Sequence, residues 1–412
     1  MANVLLIAPT CDGDDVGEAW VAYQWARNLS ERHDVTLLTY HKRGRAPARD
    51  QVTAARVIEW TEPPLLGRAE RLNSLMKPAY AAFYVRARRW IRRAIDEGER
   101  FDVAHQPVPV AMRYPSPAAG LGVPLLMGPV GGGLPSPAGF AEGGDTAPWY
   151  VRLRALDRWR LRHDLWLRRT YEGADCVLGI ADYVRDNLSG LDIKRFEVMS
   201  ETALEQLPDR VDRGGRRGPL RLLYVGRLVR TKGAREIVRA LGLVSDLDLT
   251  LDIVGAGPEL AACEAIAAEL GLGDRVTFFG ARSRAEVADH YRAADVFVFP
   301  SFREPGGNVV FEAMGYGLPL IVADRGGPGS ATDDSCAFRL PVTTAEAMVA
   351  GIAASVRSLA TDPGLRLRMG AAGRARVQER ALWSTKAESV GEIYSSISST
   401  PPPIRPSVDP SS

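Results

Sequence analysis

A chain of 412 residues is long enough for two domains of ordinary size, or three at most. Its 46% hydrophobic and 25% charged residues match soluble globular proteins and argue against a disordered, collagenous or coiled-coil chain. Lys and Arg number 52 against 50 Asp and Glu, a formal charge of +2, too balanced for a whole-chain nucleic-acid binder but compatible with local basic patches.

Short runs rich in Val, Leu and Ile alternate with longer amphipathic stretches, the pattern of βαβ units and parallel sheets. Val4 to Ala8 reads as a buried first strand, followed by a loop from Pro9 to Val16 and a helix from about Gly17 to Arg32. Further strands are expected at Val35 to Tyr40, Ala55 to Glu59, Val103 to His105, Pro124 to Met127 and Cys176 to Ile180. Between Glu205 and Pro219 the apolar pattern stops, and the segment Leu207 to Pro219 reads as an exposed linker. The alternation restarts at Leu220 to Val225, Leu249 to Val254, Val276 to Phe279, Val296 to Pro300 and Leu318 to Val322, which predicts a second Rossmann-like sheet. The stretch from Thr400 to Ser412 has almost nothing to bury and is expected to be disordered. Two such domains place a ligand cleft between the carboxyl ends of their sheets.

Cys11, Cys176, Cys263 and Cys336 show neither a CxxC pair nor histidines at metal-ligand spacing, as expected of a reduced protein with no structural zinc. Met1 runs straight into the first apolar stretch without a basic leader, and no apolar run reaches membrane-spanning length, so a cytoplasmic location is expected. Of the 52 basic residues 47 are arginine and five are lysine, which makes each retained lysine informative.

The segment Phe299 to Pro319 follows a predicted strand and holds Glu304 and Glu312 eight positions apart, with Gly306, Gly307, Asn308 and Val309 opening a helix between them. Free backbone amides and the dipole at a helix amino end favour a phosphate or diphosphate. The glycines remove side chains that would block its approach, and the two carboxylates can accept from sugar hydroxyls. A capped helix with two solvated glutamates is the plain alternative. A second segment, Leu222 to Gly233, is a strand ending in a glycine turn at Gly226, with Arg227, Arg230 and Lys232 at its carboxyl end, groups suited to phosphate oxygens.

Together these segments resemble the retaining GT-B glycosyltransferases of family 4, whose Gly-Arg-Leu and Lys-Gly turn is matched by Gly226, Arg227, Leu228, Lys232 and Gly233. The family's E-x7-E pair is matched by Glu304 and Glu312, its Val-Gly-x-Gly-Pro strand end by Val254, Gly255, Gly257 and Pro258, and its Val-x-Phe-x-Gly strand by Val276 to Gly280. The resemblance implies an α/β GT-B architecture of two Rossmann-like domains. An acceptor-side domain would span 1–205 and be completed by a C-terminal helix at 383–398; a nucleotide-sugar-binding domain would span 206–382, leaving a tail at 399–412. It implies metal-independent transfer of a sugar from a nucleotide diphosphate sugar, with no cofactor and with retention at the anomeric carbon. Arg227 and Lys232 would neutralise the leaving diphosphate with the amides of Gly306 to Val309, Glu304 would face the donor sugar, Glu312 would hold the ribose, and Phe279 to Arg282 would line the base. In the first domain Gly17 is the best match for the glycine nearest the diphosphate. Glu18, His105 and the glycine-rich turn at Gly131 and Gly132 are the candidates on the acceptor and sugar side; a satisfied structural histidine is the other reading of His105.

Asp12-Gly-Asp14 has the form of a metal-binding DxD but the wrong position, and Gly255 to Glu259 lacks the third glycine of a dinucleotide fingerprint. A nucleotide-sugar epimerase and a non-catalytic sugar-nucleotide binder are the remaining rivals. Arg86, Arg88, Arg89, Arg92 and Arg93 surround Trp90, and seven arginines accompany Trp159 and Trp166 between Arg152 and Arg169. Such stretches suit peripheral contact with an anionic membrane carrying a lipid-linked acceptor, with a solvated arginine face as the alternative. Polysaccharide and small natural-product acceptors fit equally.

Overall fold

The computed structural model describes residues 1–63, 79–140, 155–214 and 218–399; the expected disordered tail from Thr400, together with Arg152 and Arg154, lies outside these. The described chain forms two all-parallel sheets. The first has the order β3-β2-β1-β4-β5-β6-β7, from β1 (Asn3–Thr10), β2 (Asp34–His41), β3 (Arg56–Thr61), β4 (Val103–Gln106), β5 (Leu125–Val130), β6 (Cys176–Gly179) and β7 (Phe196–Val198). The second has the order β10-β9-β8-β11-β12-β13, from β8 (Leu220–Val225), β9 (Leu249–Val254), β10 (Val276–Gly280), β11 (Val296–Phe299), β12 (Leu320–Ala323) and β13 (Ala337–Leu340).

Val4 to Ala8 carry no exposed surface, and they do not alternate because both faces of the sheet are covered. The helices Glu18–Ser30 and Trp383–Ser398 cover one face with Trp25, Trp383 and Tyr394, and Ala79–Asp96 covers the other with Phe83 and Ile91. The last helix therefore returns to the first sheet after the second is complete. Chain order reverses between β1 and β4 in one sheet and between β8 and β11 in the other. Ligands of open α/β sheets bind outside the carboxyl ends at such switch points.

Two strands escaped sequence reasoning, β7 and β13. Both are three- or four-residue edge strands with only partial burial, too short to present an apolar run. The expected linker is exposed at Asp209, Arg210, Asp212 and Gly214 but is not loose. Arg213 donates to the carbonyls of Tyr291, Ala294 and Tyr316, binding the segment to the second domain, and Val211 packs on that domain's core. The chain crosses earlier, where Leu204 pairs with Leu382 so that both crossings run side by side.

The arginine-rich stretches divide. In Ala79–Asp96, Arg88 donates to the carbonyls of Pro117 and Ala119, Arg86 lies over Trp60 and Trp90 packs near Phe101, while Arg86, Arg89, Arg92 and Arg93 are exposed, so Arg88 and Trp90 serve the fold and the other arginines form a solvated face. By contrast Trp159, Leu165 and Trp166 are 60%, 68% and 56% exposed beside the exposed Arg162 and Arg169, an apolar and basic surface. Among the described residues no helix is long and apolar enough to cross a membrane.

Candidate donor and acceptor site

The turn after β8 begins at Gly226, whose carbonyl lies so close to Gly255 that no side chain fits at Gly255, which lets the ends of β8 and β9 meet. Beyond it the residues of the expected phosphate grip part company. Arg227 is exposed, with no ion pair among the described residues. Arg230 pairs through both nitrogens with Glu236, at 2.8 and 3.0 Å, and thereby neutralises a carboxylate with no exposed surface. Lys232 is buried, lies over the Phe299 ring and forms an ion pair with Glu304 from the loop after β11. Thus the two switch-point loops of the second sheet are joined by opposite charges from Lys232 and Glu304, two of the three residues expected to be catalytic, with Arg227 outside the pair.

The helix Asn308–Gly315 starts from Gly307 in the left-handed region, at φ 111°. Glu312 accepts from the Asn308 side-chain amide at 2.9 Å and from the Tyr291 hydroxyl at 3.0 Å, while Asn308 Oδ1 is buried without a partner at the helix entrance. Burial raises the Glu312 carboxyl above its ordinary value, against the hydrogen bonds from Tyr291 and Asn308. At the end of β10 the Arg282 guanidinium lies over Phe279, whose ring meets His290 edge-on, forming a flat patch. The reason for Gly306 differs from the one expected. A Cβ built there would stand 2.1 Å from Glu201 Oε1, so the missing side chain makes room for a carboxylate of the chain itself.

From the first domain, Gly17 has φ 68° with open space beside its Cα, and the Glu18 carboxylate accepts from the Val110 amide at 3.2 Å. The amides of Gly131 and Gly132 were expected to face a sugar, but they are engaged here, to the Val110 carbonyl at 2.7 Å and the Tyr183 hydroxyl at 3.2 Å. Asp12 of the DxD-like sequence spends its Oδ1 on the Asp14 amide and the Gln51 side chain, a loop-closing role. Across the cleft, Arg303 donates to the Leu134 carbonyl, Arg325 to the Pro135 carbonyl, and Ser330 to Asp182, so the two domains meet around the site.

His105 as a cleft residue is corrected: it has no exposed surface. Its Nε2 donates to the Gly128 carbonyl and its Nδ1 accepts from the Tyr394 hydroxyl, each at 2.7 Å, which fixes a neutral ring beneath β5 and the last helix. Burial pulls its pKa down to about 4, against the Gly128 carbonyl. A depressed value stabilises the fold above the unfolded pKa of ~6.5 and is lost as pH falls toward the folded one, about 3 kcal/mol in all. Acidification from pH 7 to 4 is therefore expected to lower the melting temperature more in the wild-type protein than in a folded His105→Gln variant. Parallel curves would show that His105 does not carry the acid sensitivity.

Tyr183 and Glu201 were missed by sequence reasoning. Burial raises both the Tyr183 hydroxyl and the Glu201 carboxyl above their ordinary values, the Glu304 charge adds to each shift, and neither sits in a glycine-rich or paired-carboxylate pattern. Gly326 and Gly327 were missed too: the Gly327 amide donates to the Glu304 carbonyl, and these glycines pack backbone against backbone on the Glu304–Gly306 loop.

Two Rossmann-like parallel sheets, closing on a cleft with a cationic turn, a helix entrance and paired glutamates, define the GT-B class of protein. The family described as glycosyl transferases group 1 matches residues 208–376, and the glycosyl transferase 4-like domain matches residues 16–199. The chain belongs to the group 1 glycosyl transferases, with a 4-like domain as its first half. It is 40% identical over 163 residues to the lipopolysaccharide core biosynthesis glycosyltransferase LpsD of Rhizobium meliloti, covering 38% of this chain and 45% of that protein. The chain spans about half the length of the curated relatives it matches. Among solved structures it is similar to sucrose-phosphate synthase from Thermosynechococcus elongatus, with TM-score 0.60 and 21% identity over 96% of this chain and 99% of that one. It is also similar to the Anabaena protein HepE in complex with UDP and glucose, with TM-score 0.57 and 16% identity over 96% of this chain and 100% of that one.

Proposed function

We propose that the protein transfers a sugar from a nucleotide diphosphate sugar to an acceptor hydroxyl, with retention at the anomeric carbon and without a metal. The observation that carries this reading is the Lys232–Glu304 pair beside the entrance of the helix Asn308–Gly315. A diphosphate arriving there takes the Lys232 ammonium as its own counterion and frees the Glu304 carboxylate for the donor sugar. Arg227, exposed and without an ion pair among the described residues, closes on the phosphates from the solvent side. Glu312, held by Tyr291 and Asn308, presents its carboxylate to the ribose, and the Phe279–Arg282 patch takes the base.

In the transfer step the bond from the anomeric carbon to the phosphate oxygen breaks, and its electron pair stays on the diphosphate. The acceptor oxygen bonds to the anomeric carbon from the same face, and its proton passes to the leaving phosphate. Negative charge grows on the diphosphate as the bond opens, so fixed cations and amides there lower the barrier. No side chain serves as general base in this scheme. The Anabaena neighbour was solved with UDP, which supports a nucleoside diphosphate as ligand.

Calorimetric titration of UDP, GDP, ADP and dTDP in EDTA tests the donor half. Selective binding by one nucleotide is expected, and binding that requires a divalent cation would overturn the metal-free reading. With the selected nucleotide sugar, an acceptor screen over lipid-linked glycans, polysaccharides and small natural products follows. Conversion of one nucleotide sugar into another without acceptor would favour an epimerase, and binding without turnover would favour a sugar-nucleotide binder.

The surface of Trp159, Leu165, Trp166, Arg162 and Arg169 supports peripheral contact with an anionic membrane face. In flotation assays the protein is expected to rise with phosphatidylglycerol vesicles at low salt and to be released at high salt, since screening shortens the reach of surface charge. Flotation that is absent or insensitive to salt would remove this surface from the reading.

A further inference from the structure

Glu201 lies at the first crossing between the sheets, and three observations set it apart from an ordinary buttress. First, its carboxylate occupies the space a side chain at Gly306 would need, directly under the loop that leads into the donor helix. Second, its Oε2 is sealed from solvent without a hydrogen-bond partner. Third, the carbonyls on either side of it, Ser200 and Thr202, accept from one group, the Lys386 ammonium of the last helix. Lys386 is itself buried, against the rings of Trp25 and Trp383 at 5.8 and 5.3 Å. It is one of the chain's five lysines, as is Lys232.

Lys386 thus clamps the turn that thrusts Glu201 against Gly306, and the charges form a row across the site: Lys386, Glu201, Glu304, Lys232. Burial raises the Glu201 carboxyl, with Lys386 opposing that and Glu304 adding to it; burial lowers the Lys386 ammonium, with Glu201 opposing. The two carbonyls and two ring faces hold the buried ammonium, and the Glu201 carboxylate supplies the negative charge that favours its protonated form.

We propose that Glu201 is a positioning residue of the donor site: clamped by Lys386, its carboxylate sets both the seat of the Gly306 loop and the negative charge beneath the diphosphate. This rests on the donor reading above. Glu201 acts through Gly306 and through the field at Glu304 and Lys232, without touching the substrate. Its charge opposes tight holding of the diphosphate, and the Lys386 charge offsets it.

The charge balance gives a test in which packing and electrostatics predict different signs. With the nucleotide selected in the EDTA screen as probe, Glu201→Gln keeps the shape, removes a negative charge and is expected to tighten binding ~3- to 10-fold. Lys386→Met removes the opposing positive charge and is expected to weaken binding by a similar factor. The double variant is expected to return close to wild type. Both single variants weakening, as a purely structural role requires, or Glu201→Gln leaving the affinity unchanged, would overturn the proposal. Thermal unfolding checks each variant; if Lys386→Met does not fold, the sign for the near-isosteric Glu201→Gln decides alone. Loss of binding in Lys232→Ala beside a failed sign test would leave the donor reading standing. A wild-type protein that binds no nucleotide would remove both.

Discussion

Replacing Lys232 with alanine is expected to lower turnover ~10²- to 10⁴-fold while the chain still folds, the largest functional loss of any single substitution in the second domain. Lys232 already holds a partner without ligand. Its ammonium is buried, its carboxylate partner is Glu304 from the opposite switch-point loop, and among the described residues no second cation pairs with that carboxylate. Removing it leaves the diphosphate without its inner counterion and Glu304 without a charge to rest on. The Glu304 side chain is 17% exposed, so water softens the cost to the fold. Arg230 supplies the contrast: Arg230→Ala strands the fully buried Glu236 and is expected to lower stability more than the chemistry. Single-turnover rates with circular dichroism separate the two. Near-normal turnover in a folded Lys232→Ala protein would refute the site assignment.

Gly327→Ala is expected to be the most damaging small substitution. A Cβ at Gly327 would lie 1.3 Å from the Gly306 carbonyl oxygen, a clash with backbone that no side-chain rotation relieves. The loop after β12 must then move off the Glu304–Gly306 loop, breaking the Gly327 amide bond to the Glu304 carbonyl. Steric strain of this kind costs ~2–4 kcal/mol, and because it falls on the donor loop it is expected to weaken nucleotide affinity at least tenfold as well as lower the melting temperature. Gly173→Ala, where a Cβ meets open space on a backbone without positive φ, as at Gly327, is the control for adding a methyl group alone. Equal effects of the two would mean that the close approach at Gly327 carries no weight.

The second sheet could be read from sequence because its strands are dense in apolar residues: Leu220–Val225 is interrupted only by the exposed Arg221 and Leu249–Val254 only by the half-buried Thr250 and Asp252, and both match the expected bounds. The edge strands were not legible, since a strand of three or four half-buried residues has no run to show. At the site, Lys232, Glu304 and Glu312 were legible because their chemistry sits in a local pattern of glycines and charges. Glu201, Tyr183 and Gly327 were not. Each acquires its position from a segment far away in the chain, and nothing in its immediate neighbours marks the encounter. His105 was open between two readings: a histidine at a strand end looks available, and the fold bears out the structural one, with the last helix sealing it in beside Tyr394.

One contact across the cleft bears on how the protein's heat balance should look. Phe140, from the first domain, stacks on Phe302 with ring centroids 4.3 Å apart and is buried within the second domain's apolar core, two residues from Glu304 in the partner segment. Any parting of the domains has to draw that ring into water. Hydrating a phenylalanine face of roughly 150–200 Å² changes the heat capacity by on the order of 0.1 kcal/mol/K. Closure around a donor would therefore carry a calorimetric signature beyond the ligand's own contacts, and the affinity would bend with temperature according to how much of the population starts with Phe140 undocked.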